Sequence, residues 1–173
     1  MPFGEYIPLK WALGDLLGFM QIPMADFSSS KEHSPVVKML DLKAAVSICY
    51  EDAFGEEVID GLPEANFLIN ISNDAWFGDS LAPHQHLQKA QVRAIETARP
   101  MLRATNNGIS SVIDHKGNIL KSSPQFEQAV LNMEIQPMRG ATLYVITGNY
   151  LSLMFCALML IGAVVQIRRS ARA

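Results

Sequence analysis

Between Tyr144 and Ile167 the chain carries no charged residue. That stretch limits the available folds more than any other, because about 20 consecutive apolar residues cross a bilayer as a helix, whereas a soluble helix of that length keeps a polar face. Gly148 and Asn149 weaken the first turn, so the spanning helix is expected over 150–167, with Tyr150 as its interfacial anchor. Arg168, Arg169 and Arg172 follow at once. The positive-inside rule then puts the tail, 168–173, in the cytoplasm and everything before Tyr144 on the other side, which in a bacterium is the periplasm. Pro2, Gly4 and Glu5 give the start of the chain neither the basic nor the apolar region of a signal peptide.

The remaining residues suffice for one ordinary domain or part of a larger one, with a sizeable core. The net charge of -3 comes without a basic block or aromatic-basic interleaving, which excludes nucleic acid as a partner. Of the two cysteines, Cys156 lies inside the apolar run, so a disulfide to Cys49 is not expected and both are read as free thiols.

The order of elements reads as α/β. Pro2 to Pro8 is a loop with a turn at Phe3-Gly4-Glu5, Leu9 to Met20 has helical spacing, and Asp26 to Pro35 is a polar loop. Val36 to Leu42 and Lys43 to Cys49 read as strands with a turn at Leu40-Asp41, and a helix is expected from Asp52 to Ile59, closed by Gly61 and Pro63. Phe67 to Ser72, nearly continuous in its apolar character, reads as a strand buried on both faces and completes a βαβ unit. After Pro83, Leu87, Ala90, Ala94, Ile95 and Ala98 are expected to share one helical face through to Pro100. Met101 to Thr105 is a strand ending at Asn106-Asn107-Gly108, and Ile109 to Ile113 and Ile119 to Ser122 flank a hairpin turn at His115-Lys116-Gly117-Asn118. Ala129 to Ile135 is expected to add one more strand.

Chemistry-bearing residues gather at strand ends. Ala45 to Ile48 is a short β-branched run that opens at Cys49-Tyr50-Glu51 onto a helix-like start, and a cysteine at such an elbow sits near backbone N–H groups able to face an oxyanion. A buried core cysteine is the alternative there. Glu51 serves either as an acid beside the nucleophile or as a helix N-terminal charge. Asn73-Asp74-Ala75-Trp76-Phe77-Gly78 follows the second strand at the edge where open α/β sheets bind ligands. Trp76 and Phe77 suit either the core or a pocket for an apolar substrate. The histidines offer a competing Cys-His chemistry. His84 and His86 fall on different helical faces and no ligand set completes a metal site, while His33 and His115 read as surface residues. No cofactor is expected.

Pro2-Phe3-Gly4-Glu5-Tyr6-Ile7-Pro8, Ile48-Cys49-Tyr50-Glu51, Asn73-Asp74-Ala75-Trp76-Phe77-Gly78, and Arg93-Ala94-Ile95-Glu96 continuing to Arg103-Ala104-Thr105-Asn106-Asn107-Gly108 closely resemble the apolipoprotein N-acyltransferase family. This is a membrane-bound branch of the nitrilase, or carbon-nitrogen hydrolase, superfamily, and the similarity extends through Gln136-Pro137-Met138-Arg139-Gly140 to the terminal helix. The resemblance implies that 1–140 is the C-terminal part of a nitrilase-like αββα sandwich, joined by a linker, 141–149, to the transmembrane helix. It implies Cys49 as nucleophile, Glu51 as the acid beside it, Glu5 as a further essential glutamate, and Tyr50, Asn73, Trp76 and Phe77 on the substrate side. The implied reaction takes an acyl chain from a phospholipid donor onto Cys49 and passes it to the amine of a diacylglyceryl apolipoprotein acceptor, at the bacterial inner membrane.

The same resemblance places the family's general-base glutamate and oxyanion lysine before the Pro-Phe-Gly-Glu motif. The expectation is therefore a fragment that needs the missing N-terminal half of the enzyme and is inactive by itself, with Lys10, Lys31, Lys38 and Lys43 left out of the catalytic role. A soluble-type amidase or nitrilase using water as acceptor, and an inactive membrane-anchored remnant, are the alternative readings.

Overall fold

The computed structural model describes residues 36–170. Glu5, His33 and the elements expected before Val36 lie outside the described residues. Six strands form one mixed sheet in sequence order: β1 (Val36–Met39), β2 (Leu42–Ile48), β3 (Phe67–Ser72), β4 (Met101–Thr105), β5 (Ser111–Ile113) and β6 (Ile119–Ser122). β2, β3 and β4 run parallel, and the outer pairings are antiparallel. Parallel neighbours require crossovers, and these carry α1 (Gly55–Ile59) and α2 (Ala82–Thr97). The βαβ expectation therefore holds, and so do the turns at Leu40-Asp41 and at 114–118, where Asp114 accepts the Lys116 and Asn118 N–H groups.

Both helices cover the same face of the sheet. Ala45, Leu68, Met101 and Ile113 lie in register across four strands, and with Val58, Leu87, Ala90 and Ala94 they make the core. Toward the C-terminal ends of the strands that row gives way to Ser47, Asn70, Arg103 and Ser111, again in register. The other face is apolar and open at its end: Ile48 and Ile71 pair across β2 and β3 and are 60% and 55% exposed. β3 is thus buried on both faces only in its first half, which corrects the expectation for Phe67 to Ser72.

Two further expectations are corrected. The helix expected from Asp52 to Ile59 is two pieces, a 3-10 turn at Cys49–Ala53 and α1, separated by extended backbone at Phe54 (φ -99, ψ 97). The break lets α1 start at Gly55, where a Cβ would collide with the Arg93 and Tyr144 side chains. Ala129 to Ile135 forms no strand. Its alternating apolar residues imitate one, but Val130 is 90% exposed and the Asn132 C=O accepts from the Lys121 side chain, Nζ at 3.4 Å, rather than from a neighbouring strand.

Residues 141–149, expected as a linker, contain α3 (Leu143–Thr147), and α4 spans Tyr150–Ser170. Three bonds seat this region: Arg99 Nη2 donates to Gly140 O at 2.5 Å, Thr142 Oγ1 to Glu96 O at 2.5 Å, and the Asn149 N–H to Glu56 Oε1 at 2.8 Å. α4 is long and apolar enough to cross a membrane, and none of its apolar window is buried against the protein.

Candidate active site

β2 delivers the chain to Cys49 at φ +53. In that region an L residue's Cβ crowds the backbone, at a cost of roughly 1–2 kcal/mol, so neighbouring bonds must hold it. The Ile48 N–H donates to Glu51 Oε2 at 2.6 Å, closing the turn from outside. The Cys49 carbonyl accepts from Asn70 Nδ2 at 3.1 Å and from His86 Nε2 at 3.2 Å, closing it from inside. The side chain is 5% exposed, with Ser72 Oγ 3.6 Å from Sγ.

Beneath this elbow lies a buried ion cluster assembled from four elements. Asp52 comes from the first 3-10 turn, Asp74 from a second at Asp74–Phe77 that follows β3, His86 from α2 and Arg103 from β4. Each is at most 3% exposed. Arg103 Nη1 donates to Asn70 Oδ1 at 2.5 Å and lies 3.4 Å from Asp52 Oδ2, while Nη2 donates to Asp74 Oδ2 at 2.9 Å. His86 faces acceptors at both ring nitrogens: Asp52 Oδ1 at 2.8 Å and Cys49 O from Nε2, and Asp74 Oδ1 at 3.2 Å from Nδ1. Only the imidazolium carries a proton on both nitrogens, and with it two carboxylates meet two cations, which makes burial of four ionisable groups tolerable.

Burial pulls the His86 imidazole down, but its hydrogen bonds to Asp52 and Asp74 and the Asp52 charge outweigh that and raise its pKa. Burial pushes the Asp74 carboxyl up, yet bonds from His86 and Ser72 and the Arg103 charge prevail and hold it at about 2. Gly108 closes the cluster, since a Cβ there would collide with the Asp74 carboxylate.

Of the residues singled out from sequence, Cys49, Tyr50 and Glu51 share the elbow. Tyr50 is half-buried, stacks edge-on to Phe54 with centroids 5.8 Å apart, and accepts a hydrogen bond from Lys89 Nζ at 3.1 Å. Asn73 caps the second turn: its Oδ1 accepts from the Ala75 N–H at 3.1 Å and from Asn106 Nδ2 at 2.6 Å. Trp76 is 69% exposed and Phe77 half-buried, so Trp76 is no core aromatic. His84 is exposed and His86 buried. His86 does not form the protease-type pair, because its ring reaches the Cys49 carbonyl and two carboxylates while Sγ has Ser72 beside it. Sequence reading missed the joint role of Asn70, Ser72, Asp52, His86 and Arg103. The available signal was polar residues at alternate positions of otherwise apolar strands, and a histidine one turn before Ala90 on the buried face of α2.

The mixed sheet with helices on one face is a nitrilase-superfamily fold. The chain belongs to the carbon-nitrogen hydrolase family, whose model matches residues 16–143. Among curated relatives, the apolipoprotein N-acyltransferase of Methylococcus capsulatus is 47% identical over 157 residues, covering 91% of this chain and 31% of that protein. The apolipoprotein N-acyltransferase of Azotobacter vinelandii is 42% identical over 173 residues, covering 100% of this chain and 33% of that one. The chain thus spans about a third of the length of these relatives. Among solved structures, Saccharomyces cerevisiae Nit3, described as a member of branch 10 of the nitrilase superfamily, aligns with a TM-score of 0.49 at 22% identity over 58% of this chain and 40% of that one.

Proposed function

We propose that this chain is the nucleophile-bearing part of an apolipoprotein N-acyltransferase. The observation that carries the reading is Cys49, held in a left-handed conformation at the end of β2 by bonds on both sides of the turn. A backbone strained in this way at a strand end is the geometry that presents a nucleophile. The relatives' names supply the reaction class.

In the proposed reaction a base removes the Cys49 proton and Sγ attacks the ester carbonyl of a phospholipid. The ester bond breaks, lysophospholipid leaves with a proton, and the acyl chain stays on sulfur as a thioester. The α-amine of a diacylglyceryl-cysteine then attacks the thioester, an amide forms, and the proton returned to sulfur restores Cys49. Glu51 and Glu5 are proposed as acids of the site, and Tyr50, Asn73, Trp76 and Phe77 as its substrate side, with exposed Trp76 meeting acyl chains. A site that excludes water protects the thioester from hydrolysis. α4 is proposed to anchor the chain in the bacterial inner membrane, with the domain periplasmic and the tail cytoplasmic.

We further infer that the chain alone does not turn over, because the resemblance places the base glutamate and oxyanion lysine in the two-thirds of the relatives' length that it does not match. The test is intact-mass analysis after incubation with phosphatidylethanolamine. The gene product carrying the family's preceding half should gain a hydroxylamine-sensitive acyl adduct on Cys49, lost in Cys49→Ala and transferable to a diacylglyceryl-cysteine peptide. The isolated chain should gain none. No adduct on the longer protein would overturn the acyltransferase reading, and an adduct on the isolated chain would overturn its inactivity.

A further inference from the structure

The ion cluster is larger than fold stability alone requires. Replacing buried ion pairs by apolar residues of similar volume is often neutral or stabilising, yet here four ionisable groups converge under one cysteine. Two contacts join the cluster to that residue. One is the carbonyl of Cys49, gripped by His86 and Asn70, and Asn70 is itself held by Arg103. The other is the sulfur, through Ser72.

Ser72 has one hydroxyl proton and two neighbours within reach, Asp74 Oδ1 at 2.7 Å and Cys49 Sγ at 3.6 Å. A carboxylate is the far stronger acceptor, so the proton goes to Asp74 and an oxygen lone pair faces the sulfur. In that arrangement Ser72 accepts the thiol proton, and once the sulfur is ionised the hydroxyl turns to donate to it, so in both forms it fixes the torsion about the Cys49 Cα–Cβ bond. Asp74 is in turn fixed by His86 and Arg103. Carbonyl and sulfur, the two ends of the nucleophilic residue, are therefore referred to the same rigid group of charges.

We propose that the Asp52, Asp74, His86 and Arg103 cluster is a positioning device for Cys49, with His86 and Ser72 as positioning residues that act on its carbonyl and its sulfur. The inference rests on the reading of Cys49 as the nucleophile, but it needs neither an acyl donor nor the family's other half to be tested. Neither residue is required to touch substrate. Their contribution is orientation, and a displacement of about 1 Å at a reacting atom can cost on the order of a hundredfold in rate.

The experiment is the rate of alkylation by iodoacetamide, read separately for Cys49 and Cys156 by peptide mass spectrometry on the full chain in detergent micelles. Cys156, exposed on α4, is the control within each molecule. Ser72→Ala leaves a void beside Sγ into which the sulfur turns, so Cys49 alkylation should slow by roughly tenfold, with Cys156 unchanged and the melting temperature lowered by only a few degrees for the bond lost to Asp74. Ser72→Thr, which keeps the hydroxyl, should restore the rate. His86→Gln, whose N–H groups sit on a single nitrogen and whose other end is an acceptor oxygen, cannot reach Asp52 and Asp74 from opposite sides as the ring does and should slow Cys49 further.

Loosening of the fold moves the rate the other way, because it admits reagent to a buried thiol. An equal or faster Cys49 rate in Ser72→Ala, or a failure of Ser72→Thr to restore a slowed one, overturns the proposal. If His86→Gln does not fold, the Ser72 pair still decides. A missing acyl adduct together with a slowed Ser72→Ala rate would sink the acyltransferase reading and leave the positioning device standing.

Discussion

The two 3-10 turns, Cys49–Ala53 after β2 and Asp74–Phe77 after β3, occupy equivalent places at the ends of neighbouring parallel strands, and they are built on opposite plans. Both follow an extended residue, Ile48 at φ -111 and Asn73 at φ -100, but the first opens on left-handed Cys49 and keeps that side chain inside, 5% exposed. The second opens on Asp74 and reaches a positive φ only at its end, Gly78. Its aromatic Trp76 stands 69% exposed. Yet each turn sends one aspartate inward to the same histidine. One turn is thus held tightly around a buried sulfur while its neighbour turns an aromatic ring to the outside, and the shared ion cluster fixes the distance between them.

The largest effect comes from breaking the tie itself. Arg103→Met leaves Asp52 and Asp74 with the His86 imidazolium as one buried cation for two carboxylates, a change that costs about 3–5 kcal/mol and should lower the melting temperature by roughly 10 °C. The surface pair Lys43 with Glu64 is the contrast. Lys43→Met should cost less than about 1 kcal/mol, since both partners face solvent. Calorimetry of the two variants in micelles checks the difference, and equal shifts would mean that the cluster does not join the turns.

A smaller effect separates the two sides of His86 by pH. Asp74 titrates near 2 in the fold against 3.8 for the free group, so its contribution is full above about pH 4 and is lost as pH falls toward 2. The raised His86 pKa works in the opposite sense: its contribution is full below about 6.5 and is lost as pH rises through the folded value. Stability from the cluster should therefore plateau between about pH 4 and 6.5, with an acid limb on the order of 2 kcal/mol from Asp74. Melting temperature against pH measures both limbs. Loss of the alkaline limb in His86→Gln, together with an acid limb reduced because His86 makes the strongest of the bonds that hold Asp74 down, would assign the alkaline limb to the imidazolium.

Much of the first turn was legible in the sequence. Ile48-Cys49-Tyr50-Glu51 ends a β-branched run, and apolar periodicity placed β2, β3, α2 and β4 in the right order, because burial of one face is what those patterns record. The terminal helix was legible for a different reason, a charge-free apolar run of helical length. The cluster was not legible, since Asp52, Asp74, His86 and Arg103 lie on four elements, and of the four only Arg103 stands in a strand register, opposite Asn70. The sequence pattern also misled where apolar alternation lacked a partner: Val130, Leu131, Met133 and Ile135 look like a strand but pair with none. In the first turn, helical propensity at Asp52 to Ile59 lost to the close approach of Arg93 and Tyr144 to Gly55.

The smallest effect tests the strain that distinguishes the first turn. Cys49→Ala and Cys49→Gly both remove the sulfur and its contact with Ser72, so their difference isolates the backbone. At φ +53 alanine keeps the crowding of Cβ against the carbonyl, while glycine has none. Glycine also loses more freedom on folding, which offsets part of the gain. Cys49→Gly should therefore be the more stable of the two by about 1 kcal/mol or slightly less, read as the shift in denaturant midpoint at unchanged slope. Alanine equal to or more stable than glycine would mean that the elbow relaxes out of the left-handed region once the sulfur is gone. The strain would then belong to the contacts of Sγ rather than to the backbone bonds of Ile48, Asn70 and His86.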